Sequence, residues 1–246
     1  MGDRVILLVR HTRTASDASA RRAAGRLLRY VQGPQGGREG PEPRAGAEDR
    51  GPLFDRHGIV GGEERRDLAA FIGGAVRGMP AQLGCDARGR LVPCRRAYYG
   101  FVLSPERAEG LDLRLLTRAA MAALEGDAGG ELRWIAGEHR DTAHPHTHIV
   151  VAARREIAPG RLRNLLMTGP RLAHMREALA WEVRLQREME RDRERAGEKD
   201  VPGSGRRAGR GPRGLGSLVL RRMAARYRLE AEREALERRR GREMEP

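Results

Sequence analysis

The sequence predicts an α+β domain: a central antiparallel β-sheet with helices mainly on one face. Three observations carry that expectation. Apolar, branched runs of strand length recur at residues 4–10, 96–106 and 146–154. Apolar residues at helical spacing lie between and after them, around 17–32, 112–125 and 170–196. Finally, the segments 131–140 and 146–154 are separated by only a few residues, so they pair as an antiparallel hairpin.

In chain order, "RVILLVR" at 4–10 is a buried strand. Ser16 or Asp17 then caps a helix in which Ala20, Ala23, Ala24, Leu27, Leu28 and Val31 recur at helical spacing until "GP" at 33 and 34 ends it, with Tyr30 in the last turn. Residues 33–51 are too rich in Gly and Pro for a regular element and form a loop. "PLFDRHGIV" suits a small hairpin, "EERRDLAAFIGGAV" a short helix, and "RGMPAQLGCDARGRLVPC" a loop or β-ribbon. "RAYYGFVLSPE", 96–106, is a strand leaving through a Ser-Pro-Glu turn, where Ser104 can cap a helical turn begun by Pro105. Residues 112–125 give the clearest helix: Asp112 caps it, Leu115, Leu116, Ala119, Ala120, Ala123 and Leu124 form its stripe, and Gly126 stops it. Along 131–140, Leu132, Trp134 and Ala136 point one way while Ile135, Gly137 and His139 point the other. After a weak segment, "GRLRNLL", a helix from about 170 to 196 carries Leu172, Met175, Leu179 and Val183 on one side. The expected organisation is one domain over 1–196, a basic Gly-rich linker over 197–216 and a basic helical tail over 217–246.

The bulk numbers bound the function. In 246 residues, 39% hydrophobic against only 4% aromatic and 33% charged implies an aliphatic, small-residue core with part of the chain outside it. A formal charge of +14 attracts a polyanion, and nucleic acid is the default partner. Lys199 is the only lysine, so arginine bias explains the type of base but not an excess of 48 basic over 34 acidic residues. Two cysteines, Cys85 and Cys94, make neither a disulfide framework nor a four-thiolate zinc site, which suits a reducing compartment. The N-terminal apolar run is too short for a signal sequence and no later segment approaches a membrane span, so a bacterial cytoplasmic protein without membrane insertion is expected.

Four of the seven histidines fall in "EHRDTAHPHTHIVVAAR", 138–154. Side chains two apart share a strand face, so His146 and His148 project together while Thr147, Ile149 and Val151 face the core. Two adjacent imidazoles can chelate, and the hairpin can bring His139 across as a third ligand, with His144 as the alternative third ligand or a phosphate contact. Three nitrogens with open positions describe a catalytic metal site. Asp141 can accept the second ring N–H of a ligand histidine. Such a cation can polarise a phosphodiester and leave attack to a separate nucleophile, for which a tyrosine is suited. His11, His57 and His174 stand alone and read as ordinary polar residues.

These residues resemble a family: the relaxases, or mobilisation nucleases, of the HUH endonuclease superfamily, particularly the plasmid-mobilisation branch that includes the T-DNA border nuclease. "HRDTAHPHTHIVV" fits every fixed position of that branch's third motif, H-x-D-x-x-H-P-H-x-H followed by apolar residues. The preceding "GFVLSPERAEGLDLRLLTRAAMAALEGDAGGELRWIAGEH" is similar in its strand, S-P-E turn, helix and second strand, and "AAGRLLRYVQ" resembles the motif bearing the nucleophilic tyrosine. The resemblance implies His139, His146 and His148 as metal ligands, Tyr30 as nucleophile and Asp141 as the orienting or proton-accepting carboxylate, with a lesser role for His144. It implies Mg²⁺ or Mn²⁺ as cofactor, although three imidazoles suit Mn²⁺ or Zn²⁺ better by ligand preference. The implied substrate is single-stranded and supercoiled DNA at an origin of transfer, nicked and rejoined through a 5′-phosphotyrosyl intermediate, with auxiliary relaxosome proteins and a coupling protein as partners.

Competing readings are a rolling-circle replication or transposition nuclease of the same superfamily, a non-catalytic basic DNA-binding protein, and a hydrolase using activated water. The absence of a second tyrosine within helical reach of Tyr30 favours single nick-and-rejoin chemistry over the first of these.

Overall fold

The computed structural model describes residues 4–32, 52–85, 90–140 and 142–197. Its elements run β1 (Val5–Thr14), α1 (Asp17–Gln32), α2 (Gly62–Val76), β2 (Gln82–Cys85), β3 (Leu91–Pro105), α3 (Leu113–Ala128), β4 (Trp134–His139), β5 (His146–Ala152), β6 (Arg154–Ala158), β7 (Arg161–Asn164) and α4 (Gly169–Gly197). Strands β1, β3, β5 and β4 lie side by side in that order, every pair antiparallel, and β2 joins the first part of β3 as a ribbon. This is the expected α+β class with a central antiparallel sheet. The loop expected at 33–51, almost all of the linker and the whole tail lie outside the described residues.

Pleating sorts the strand residues into two cores. On one face, Tyr99, Phe101 and Leu103 of β3, Trp134 and Ala136 of β4, and Ile149 and Val151 of β5 pack with α3 and α4, through Leu116, Met121, Leu124, Met175 and Leu179. On the other, Tyr98, Ile135, Val150 and Ala152 pack with Ala20, Ala24, Leu28 and Val31 of α1 and Leu68, Ile72 and Val76 of α2. Helices therefore cover both faces in pairs, a more even division than expected, because amphipathic spacing reveals that a helix has a buried side but not which sheet face receives it. Tyr98 and Tyr99 are both core residues, one in each cluster.

Local chemistry explains the boundaries. Ser16 Oγ accepts from Ser19 N–H at 3.2 Å while Ser19 Oγ accepts from Ser16 N–H at 3.0 Å, a reciprocal cap that starts α1. Asp112 accepts from the N–H groups of Arg114 and Leu115 at the start of α3. That helix runs through exposed Gly126 and ends instead at Gly129, whose φ of 76° supplies the left-handed turn. The Ser-Pro-Glu segment makes no helical turn: Ser104 and Pro105 remain in β3, and Ser104 Oγ donates to Pro145 O at 3.2 Å. Residues 53–60 form the expected tight reversal, closed by Asp55 Oδ1 accepting from His57 and Gly58 N–H, and Phe54 bridges to Ala136 at the β4 edge. "GRLRNLL" supplies the second strand of the β6–β7 hairpin, which sequence reading left unassigned; Arg154 of that hairpin donates to the Ala75 and Leu162 carbonyls.

Candidate functional site

Three histidines meet on the sheet face that α1 and α2 cover only in part. The register of β4 and β5 sets His139 directly across from His146, and His148 is two residues further along β5, on the same face. Their rings form a compact triangle, with centroids 5.2 Å apart for His139 and His146, 4.9 Å for His139 and His148, and 4.8 Å for His146 and His148. One potential ligand atom from each lies within 4.8 Å of the others. Among the described residues this is the group that could hold a metal ion, and His144 is not in it. Of the two candidates for third member, His139 lies beside His146 and His148, and His144 lies outside the group.

Hydrogen bonds orient two of the rings. His146 Nδ1 lies 2.9 Å from the His144 carbonyl, so its N–H is donated there and the lone pair sits on Nε2. That Nε2 is 3.1 Å from His148 Nε2. His139 is 1% exposed, and its Nε2 lies 2.9 Å from the Val31 carbonyl at the end of α1, which makes Nδ1 the nitrogen carrying its lone pair. A set of three imidazoles, two of them with tautomers fixed by backbone carbonyls, fits a divalent transition cation such as Mn²⁺ or Zn²⁺ by donor type and spacing. His144 contributes its backbone rather than its exposed side chain: its carbonyl also accepts from Thr142 Oγ1 at 2.8 Å, which holds the turn against His146.

Tyr30 stands beside this cluster. The last turn of α1 brings its ring within 5.5 Å of the His148 ring and 5.8 Å of the His139 ring, edge-on to both, and the side chain is 55% exposed. Asp141 lies outside the described residues. His11, His57 and His174 are away from the cluster: His174 Nδ1 faces Asp127 at 3.1 Å on α4, and the His57 backbone belongs to the Asp55 turn. Burial, together with the positive charges of Arg96 and Arg13, pushes the His11 imidazole below its ordinary value.

Sequence reading missed two contributors. Gly137 allows α1 to close on β4: a Cβ there would meet Val31 Cγ1 at 2.6 Å and Val31 O at 2.7 Å. An isolated glycine inside a strand is the available signal for such an approach. The Val31 carbonyl, as a backbone group, has no signal in residue type at all. On the opposite face, Glu138 is buried between Arg140 and Arg114, its Oε2 3.3 Å from the latter's Nε, which ties the end of β4 to α3.

Among the described residues no helix is long and apolar enough to cross a membrane. No curated protein and no solved structure matches the chain. A family model described as "Relaxase: MobA/VirD2-like, nuclease domain" matches residues 86–162, a segment that runs from just before β3 through the three histidines and does not include Tyr30. That match, over the strands that build the histidine triangle, supports a relaxase, or mobilisation nuclease, with a DNA-nicking function.

Proposed function

We propose that this protein nicks and rejoins one DNA strand at an origin of transfer, with Tyr30 as nucleophile and a divalent cation held by His139, His146 and His148. The observation that carries the reading is the position of an exposed tyrosine ring 5.5 Å from a triangle of imidazoles that approach it from a different part of the fold. When bound, the cation polarises the scissile phosphodiester and neutralises charge developing on its oxygens.

The chain's own residues supply the rest. Tyr30 oxygen attacks phosphorus; the new tyrosyl O–P bond forms as the P–O3′ bond breaks, and the departing oxygen takes a proton to become a 3′-hydroxyl. The phenol proton goes to a carboxylate, for which Asp141 is the proposed acceptor. His139, fixed by the Val31 carbonyl, and His146, fixed by the His144 carbonyl, would present their other ring nitrogens to the cation in a set orientation. Because the phosphate ester is conserved on Tyr30, a 3′-hydroxyl can attack it in turn and reseal the strand without an external energy source. Auxiliary relaxosome proteins and a coupling protein belong to the same proposal.

Labelled single-stranded origin DNA incubated with the protein and Mn²⁺ tests it. A covalent 5′-linked protein–DNA product is expected, abolished by chelation and by Tyr30→Phe, with the adduct mapped to Tyr30 by mass spectrometry. Cleavage without a protein link, or an adduct that survives Tyr30→Phe, refutes the assignment.

A further inference from the structure

Helices α1 and α2 pack side by side, and the groove between their outer faces is lined by Arg21, Arg22, Arg26, Arg29, Arg65 and Arg66, with small Gly25 and Ala69 between them. No acidic residue lines it. Two of the three acids of α2, Glu64 and Asp67, border a separate cleft with Glu131 and Glu156. Arg65 is held by the Gln32 side chain. The other five arginines have no carboxylate partner among the described residues. Arginine bias in the composition accounts for the residue type but not for this sorting of charge between the two flanks of one helix. Like charges four apart on a helix, such as Arg22 and Arg26, repel one another, so the groove is stabilised by a polyanion.

The groove also has a direction. Arg22, Arg26 and Tyr30 are spaced four residues apart and all exposed, so they form one stripe along α1 with steps of about 6 Å. We infer that this groove is the track for the sugar–phosphate backbone of the single strand whose scissile phosphate reaches Tyr30. The guanidinium forks would take successive phosphate oxygens as charge-assisted pairs. Along the surface seam of two packed helices, whose axes lie roughly 8–10 Å apart, the arginines of both helices can reach one and the same sugar–phosphate backbone. The inference rests on the proposed nicking reaction for the end point of the track, and on the charge of the groove for its occupant.

The test is a salt titration of binding with the full chain. The probe is a fluorescently labelled single-stranded oligonucleotide, compared with a duplex of equal length, and the variant combines Arg22→Gln, Arg26→Gln and Arg66→Gln. Each lost phosphate contact on a single strand lowers the slope of log affinity against log salt by about 0.7, so the triple variant should lower it by about 2 and weaken binding by about a hundredfold near 0.1 M salt. A control removing the same charge from exposed Arg161, Arg176 and Arg193 should lower the slope by less than about 0.5. The triple Arg→Lys variant should retain most of the slope, and thermal melts matching the parent should show that all variants fold.

An unchanged slope in the groove variant, or equal losses in groove and control variants, overturns the track. A larger loss on duplex than on single strand overturns the choice of a single strand. Because binding needs no cleavage, a protein that forms no adduct still gives a result here; adduct formation with an unchanged slope removes the track alone.

Discussion

Replacing Gly137 with alanine tests the contact that brings α1 to the histidines. The added Cβ would sit 2.7 Å from the Val31 carbonyl oxygen and 2.6 Å from Val31 Cγ1, with Leu53 Cδ2 at 3.2 Å. The valine methyl can turn away, but the carbonyl belongs to a helix and cannot. Carbon–oxygen contact becomes ordinary at about 3.4 Å, so the end of α1 must retreat by about 0.7 Å. The same carbonyl accepts the His139 Nε2–H at 2.9 Å, and a retreat along that line stretches the bond to about 3.6 Å, beyond hydrogen-bonding distance. Overpacking costs about 1–3 kcal/mol and the lost hydrogen bond about 1 kcal/mol, so denaturant unfolding should show a loss of about 2–4 kcal/mol. Loss of a ligand's orienting partner lowers metal affinity by about 10- to 100-fold, which calorimetric titration with Mn²⁺ reads directly. Parent-like stability together with parent-like Mn²⁺ affinity would refute the reasoning, because it would mean that the helix end neither resists the methyl nor orients His139.

Other substitutions separate the site from the scaffold. His148→Ala removes one member of the half-buried triangle, so the apo protein should melt near the parent temperature while the Mn²⁺-induced rise disappears; that rise corresponds to about 2.7 kcal/mol at a hundredfold excess over Kd. Glu182, 3% exposed on α4, has its carboxyl raised above the ordinary 4.5 by burial, with Asp112 adding to the rise and the Gln186 hydrogen bond opposing it. Below that ordinary value the group is neutral in both folded and unfolded chains; as pH climbs toward the raised folded value, the unfolded chain ionises first and stability falls. Glu182→Gln keeps an acceptor for Gln186 and removes this loss, so it should melt with the parent at about pH 4 and above it at about pH 8, whereas an equal shift at both would contradict the linkage. Asp112→Ala removes the acceptor for two N–H groups at the start of α3 and should cost about 1 kcal/mol in urea unfolding, with Mn²⁺ binding unaffected.

Much of the site was legible because strand geometry is rigid. Alternation along a strand places His146 and His148 on one face without any tertiary information, and a tight connection between two strands makes His139 their neighbour. Core residues Thr147, Ile149 and Val151 then lock the register, since a slip of one residue would turn all of them outward. What could not be read depends on contacts between distant segments. The Val31 carbonyl bonds His139 across the fold, and no residue type announces a backbone acceptor. The β6–β7 hairpin escaped notice because "RLRN" alternates weakly and its neighbour Arg154 is anchored by carbonyls from α2 and β7 rather than by apolar burial. The arginine groove was visible only as net charge: the sequence counts arginines, whereas packing α1 against α2 gathers six of them along one channel.

Every residue of β4 is buried, and β5 is buried from Ile149 to its end, so the histidines are mounted on strands whose bodies belong to the core. Tyr30 is exposed in the final turn of α1, but the next residue, Val31, is buried and its carbonyl is bonded to His139. In the proposed cycle of attack and resealing, the helix end is then tethered to the imidazole seat, and only the tyrosyl side chain with its attached strand is left to swing. Hydrogen exchange should reflect that tether, with amides under the histidines and in the last turn of α1 protected together.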